Sequence, residues 1–186
     1  MNTTTINEYL YHVPTSKDKL ASIGYFAAPA SKSHHLSVAG GLAEHSANVT
    51  AWLLKLTESM EIDWPRPESP YIIGMLHDLV KCKCYELAPD PRTFDGTHFE
   101  YRHPEYPGHG AASIIIAVAE LGVTLLPVEA VAIAHHMGAF CLTGDALKVF
   151  DAALDKYPRE IIATHTADML ASRVDEAKQD VKEGAK

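Results

Sequence analysis

The fold class that this sequence predicts is all-α, a helical bundle with one small β-hairpin or loop insertion. Three observations predict it. Apolar residues recur at three- and four-residue steps through most of the chain. Gly and Pro stand at the ends of these runs more than within them. One segment, 84–107, breaks the pattern with Pro89, Pro91, Asp95-Gly96, Pro104 and Pro107.

The first long helix starts after Gly40-Gly41, where Leu42, His45, Val49, Trp52, Leu53, Leu56 and Met60 share one face. His45 is therefore expected on the buried stripe. A Pro-rich stop, 64–70, precedes the second, predicted over 71–81; its Ile72, Ile73, Met75, Leu76, Leu79 and Val80 make it apolar nearly all round and hence central. It carries His77 and Asp78 into the core. A third helix opens near Gly108 to Gly110, with His109 at its mouth, and stops at Gly122. The fourth begins with Pro127 and ends at His135, His136, Met137 and Gly138. A fifth spans about 145–156, and the last runs from Pro158 to about Lys182 with Ile161, Ile162, His165, Asp168, Met169 and Val174. In the insertion, 98–102 alternates polar and aromatic residues, which predicts a hairpin turning near Asp95-Gly96; its place between the second helix and His109 makes it a candidate lid.

With 186 residues, 47% of them hydrophobic, the chain suits one well-buried domain. We divide it into an N-terminal segment, 1–24, a domain, 25–176, and a charged tail, 177–186, with the fraying into solvent expected from Asp175 onward. The net charge of −8 and the lack of any Lys or Arg run argue against sequence-independent binding of a long polyanion, while one phosphate held through a metal stays open. The N-terminus lacks the order of a signal peptide, and the longest aliphatic run, Ile114 to Ala119, is far short of the roughly 20 residues that a bilayer requires. A cytoplasmic location without membrane attachment is expected.

Three cysteines against eleven histidines, with no CxxC pair, direct any metal site towards imidazole and carboxylate donors. Cys82 and Cys84 are expected to be ordinary reduced thiols. The adjacent His77 and Asp78, completed by His45 and Asp168 from two other segments, form a compact N/O cage for a divalent cation. His109 and the His135-His136 pair stand on further helices in the same order. Burying so many ionisable groups without a cation would cost several kcal/mol each.

In this order, H, then HD, then D on helices, the residues resemble the HD superfamily of metal-dependent phosphohydrolases. The likeness covers 25–176 and includes Lys81, three residues after the Asp. The stretch YFAAPASKSHHLSVAGGLAEHSANV is similar to the HD domain of bacterial 3′-to-5′ exoribonucleases. The resemblance implies an HD-domain helical fold and His45, His77, Asp78 and Asp168 as a first metal site. It implies a second site at His109 and one member of the later His pair; Gly138, two positions on, favours His136 over His135. Those exonucleases carry a nucleic-acid-binding module ahead of the HD domain, where here the 24 residues before Tyr25 stand, so a small substrate is the expectation.

The donor types suit one or two ions of Mn, Fe, Co, Ni or Zn. Asp78, with two carboxylate oxygens, is placed to bridge two of them, generating a metal-bound hydroxide as nucleophile against a phosphoester. Lys81 is a candidate for offsetting phosphoryl charge, and His34 or His35 for the same role or for protonating the leaving oxygen. His165 is a candidate support for Asp168, and Arg102 and His103 for phosphate contacts from the insertion. The expected activity is hydrolysis of a nucleotide-type phosphomonoester or phosphodiester, with a small phosphorylated molecule or short oligonucleotide as partner. Two alternatives are a 3′-to-5′ exonuclease on short RNA or DNA and a non-catalytic, metal-stabilised binding domain.

Overall fold

The computed structural model of the chain describes residues 3–32, 36–92, 97–140 and 142–177. Among them are eight α-helices and one two-stranded antiparallel sheet. None of these helices is long and apolar enough to cross a membrane.

Two short helices, α1 (Thr3–Leu10) and α2 (Lys17–Ser22), lead the chain; Ser16 caps the second by accepting from the Lys19 amide at 3.2 Å. Their Leu10 and Leu20, with Val13 between the two helices, join Tyr25, Leu42, Met75, Leu76 and Ile116 in one apolar cluster, so the residues before Tyr25 contribute to the core. The long α3 (Gly41–Ser59) buries Leu42, His45, Val49 and Leu53 of the stripe predicted for it, and Trp52, Leu56 and Met60 are half-buried.

The helix predicted over 71–81 is shorter than expected. The observed α4 (Ser69–Leu76) ends just before the His-Asp pair, and a tight 3₁₀ turn, Leu79–Lys83, follows. Asp78, with φ −112° and ψ 22°, leaves helical geometry at that point, so the two adjacent residues sit at a break and not on a continuous helix. The break lets both side chains point inward, where a regular helix would separate neighbours by about 100°.

The predicted hairpin is present: β1 (Tyr85–Pro89) pairs with β2 (Thr97–Tyr101) in the register Tyr85 with Tyr101 and Leu87 with Phe99. Its expected turn at Asp95-Gly96 lies outside the described residues. Next come α5 (His109–Ile115), continued by a wide π-type turn over Ile116–Glu120, and α6 (Pro127–His135) with Pro127 at its first turn. Then α7 (Gly144–Lys156) and α8 (Pro158–Leu170) follow, and a second wide turn, Ala171–Asp175, ends in an amide-to-carbonyl bond from Glu176 to Ala171 at 3.0 Å.

Small residues set the close approaches that bring the helices together. Along α8 and into the wide turn after it, Ala163, Ala167 and Ala171 recur every four residues, all fully buried, in a second cluster with Val49, Leu53, Ile73 and Ile133. At Gly110 a Cβ would lie 2.5 Å from the carbonyl oxygens of Ile133 and Ala134, so only Gly permits this contact of α5 with α6.

One expectation for the C-terminus fails. Residues 175 and 176 do not fray: the Trp52 indole donates to Asp175 at 2.7 Å, and the Glu176 side chain is fully buried.

Candidate metal centre

Asp78 is the hub of the site. Its carboxylate lies 2.6 Å from His109 Nε2, 3.4 Å from His77 Nε2, 3.4 Å from His136 Nε2 and 3.5 Å from His45 Nε2. Lys81 Nζ approaches it at 2.6 Å. Asp168 comes in from α8, its Oδ1 3.3 Å from His45 Nε2. Residues from five helical segments thus converge, and all six predicted ligands together with Lys81 are among them.

Each buried ring is aimed by a hydrogen bond on its far side. His77 donates from Nδ1 to the Gly74 carbonyl at 2.9 Å, and His136 donates from Nδ1 to the Ile133 carbonyl at 2.7 Å. A carbonyl only accepts, so the proton of a neutral ring sits on Nδ1 and the Nε2 lone pair faces the cluster. His45 turns Nδ1 towards both oxygens of Glu176, at 3.0 and 3.2 Å. Asn48 holds the same carboxylate at 2.9 Å.

This geometry fits a cation. His77 Nε2 and His136 Nε2 are buried with no hydrogen-bond partner among the described residues, although each is 3.4 Å from an Asp78 oxygen. Buried polar atoms are rarely left so. The donor atoms of three triads, His45-His77-Asp78, His77-His136-Asp168 and Asp78-His109-His136, all lie within 4.8 Å of one another, close enough for shared coordination. Nitrogen and oxygen donors of this kind suit a borderline divalent ion, and a carboxylate behind a ligand imidazole, as Glu176 is, orients the ring and raises its basicity.

The charge balance of the cluster points the same way. Burial disfavours charge on His77 and lowers its pKa, keeping the ring a neutral donor. Burial also works against charge on Asp78, but Lys81, His77 and His109 outweigh it and hold the carboxyl well below its ordinary value. The Asp168 carboxyl is likewise pulled down, against burial, chiefly by His45. For His45 and His136 burial is overcome by the neighbouring carboxylates, which raise both pKa values. Anionic oxygens and imidazoles here compete for one positive charge, which a proton or a metal ion supplies.

The pair His135-His136 is resolved by direction. His136 is fully buried and faces Asp78, whereas His135 turns away to pack edge-on against Phe150 with centroids 5.3 Å apart. Two expected supporting roles are corrected. His165 does not hold Asp168; its Nδ1 donates to the His136 carbonyl at 2.7 Å, bracing the end of α6. Arg102 pairs with Glu86 across the hairpin at 2.8 Å. His34 and His35 lie outside the described residues. Cys82, packed half-buried against the core, and the buried Cys84 are free thiols, and burial pushes the Cys82 thiol up to about 12, which suits an unreactive residue.

A cavity of about 280 Å³ opens the cluster to solvent, lined by Ser31, Asp78, Lys81, His109, Asp168 and Arg173 among others. Among the described residues none of the hairpin lines it; Leu87 and Phe99 face Lys32, Ser37 and Ala39 across a separate cavity, while Tyr101 and His103 line another that reaches His109. Sequence reasoning missed Glu176 and Arg173. The first lies eight residues after Asp168, about 80° round a regular helix, and the wide turn Ala171–Asp175 brings it inward without a signal in the sequence. No protein-family model matches the chain, nor does any curated protein or solved structure.

Proposed function

We propose that this chain is a metal-dependent phosphohydrolase of the HD type, acting on a small phosphoester of nucleotide kind. The observation that carries the reading is the Asp78 carboxylate surrounded by four imidazole Nε2 atoms, with Lys81 and Arg173 lining a mouth that opens onto it. His45, His77, Asp78 and Asp168 would hold one divalent ion, and Asp78, His109 and His136 a second. A divalent ion at such a site supplies Lewis acidity, lowering the pKa of water and neutralising phosphoryl charge.

The protein's own groups account for the rest. Lys81 Nζ, 14% exposed and 2.6 Å from Asp78, sets a positive charge between the buried carboxylate and the cavity, where phosphoryl oxygens enter. Burial disfavours its charge, but Asp78 and Asp168 outweigh that and keep the ammonium protonated. Arg173 adds a second cation on the cavity wall. Glu176 and the carbonyls of Gly74 and Ile133 hold His45, His77 and His136 in the tautomer whose Nε2 faces inward. The pocket's modest volume and the chain's net charge of −8 favour a small phosphoester over a long nucleic acid.

Metal analysis of the purified chain, joined to a phosphate-release screen over nucleotides, sugar phosphates and a labelled oligonucleotide, tests the proposal. Bound transition metal with metal-dependent phosphate release is the expected outcome. Metal without turnover on any phosphoester would leave a structural ion and refute the hydrolase; shortening of the oligonucleotide alone would replace it with an exonuclease.

A further inference from the structure

Beside the metal centre lies a larger cavity of about 480 Å³, formed where α5, the end of α6 and α7 meet. His109 and Met137 line both this cavity and the mouth over Asp78, so the two are adjoining compartments with a shared wall. Their chemistry differs sharply. The mouth carries Asp78, Lys81, Asp168 and Arg173, whereas the larger compartment is walled by Ala134, Met137, Phe140, Leu142, Ala146 and Val149, with His109 and His135 and, among its described lining residues, no acid, lysine or arginine. Its rim displays apolar side chains that would ordinarily be covered: Phe140 is 88% exposed, Val149 61% and Met137 50%. A charged compartment joined to an apolar one matches a ligand with a phosphate at one end and a flat, weakly polar group at the other.

We infer that the apolar compartment is a nucleobase subsite, with the base of a nucleoside phosphate stacking against Phe140 and Met137 while its phosphate lies at Lys81 and Arg173. The inference rests on the phosphohydrolase reading for the place of the phosphate. Because the lining offers few side-chain hydrogen-bonding groups, recognition is through stacking and shape, which favours a purine over a pyrimidine without reading its edge. Met137 serves as an adaptable wall between the compartments.

The probes are adenosine 5′-monophosphate and ribose 5-phosphate, identical at the phosphate and different only in the base, offered to the full chain with Mn²⁺. Their ratio is taken as kcat/KM if they are hydrolysed and as Kd by calorimetry if they are not. We expect the base-bearing ligand to be favoured at least tenfold, and Phe140→Ala and Ala146→Trp each to reduce that preference several-fold, the first by removing the stacking face and the second by filling the cavity from the exposed surface of α7. A wild-type ratio near one, or a preference that neither variant moves, overturns the subsite. So does a dimer that Ala146→Trp dissociates with the ratio unchanged, since the apolar rim would then be a contact between copies. A base-dependent Kd without hydrolysis supports the subsite while refuting the hydrolase, and hydrolysis without base preference does the reverse.

Discussion

The two oxygens of Asp78 face four imidazoles and one ammonium, so its removal leaves those groups with Asp168 as the remaining carboxylate beside His45. Asp78→Ala is expected to lose most bound metal and all measurable phosphate release; a metal-replete, active variant would contradict the assignment. His109, with a side chain 35% exposed, is the most peripheral imidazole. His109→Ala should lower activity while at least one ion per chain survives metal analysis, and loss of every ion would argue against two separable positions. Glu176 is fully buried, and both its oxygens lie against His45 Nδ1. Removal of such a carboxylate typically weakens metal affinity about 10–100-fold. A competition titration with a chelating dye should find that range for Glu176→Ala, and unchanged affinity would show the His45 ring to be held by packing alone. Of these three residues, Asp78 and His109 were legible from side-chain chemistry and their places on apolar segments. Glu176 was obscured by the charge-rich stretch that follows it, because an acid in such a run reads as solvated until its neighbours in space are known.

At the scale of elements, the site depends on how closely helices approach and where they break. The helix periods, the Pro starts and the hairpin were all visible locally, and α5, α6 and α7 begin within a residue or two of expectation. The break at Asp78 was not visible: Leu79 and Val80 continue the apolar pattern, which is why a helix to Lys81 was expected, and tertiary contacts override so weak a local preference. The wide turn after Leu170 was equally hidden, and it delivers Glu176 to His45. Close approach is testable at Gly110. Gly110→Val places atoms into the carbonyls of α6, an overpacking that typically costs about 1–3 kcal/mol. Because α5 carries His109 and α6 leads to His136, we expect the melting temperature and the metal affinity of Gly110→Val to fall together; a fall in the first alone would show that the two histidines keep their distance when the helices part.

Across the whole molecule, one buried acid joins segments remote in sequence. Glu129 is fully buried on α6 and accepts from Arg66 at 2.7 and 2.6 Å, from the Ser69 hydroxyl at 2.8 Å and from the Leu126 amide at 2.8 Å. It thereby ties the Pro-rich stop before α4 to the start of α6, at a distance from the metal cluster. Arg66 is part-exposed, so removing the carboxylate leaves its charge hydrated, and the loss is of the size of a charged hydrogen bond, about 1.5–3 kcal/mol. Glu129→Ala should accordingly lower the denaturant midpoint by that much stability while, under folding conditions, metal content stays intact; loss of metal at full folding would show that the two networks are coupled.

The sequence by itself determined that the chain is helical with a small hairpin, and that it carries imidazole and carboxylate residues of metal-ligating type in the order His45, His77-Asp78, His109, His136 and Asp168. Those properties follow from side-chain chemistry and from periodicities of a few residues, which are local. Only the tertiary structure decided that His136 and not its neighbour faces Asp78, that His165 braces His136, that Glu176 stands behind His45, and that a charged and an apolar compartment share a wall. Such choices depend on the direction of a side chain across the gap between packed helices, and that direction is set by contacts between residues up to 131 positions apart in the chain.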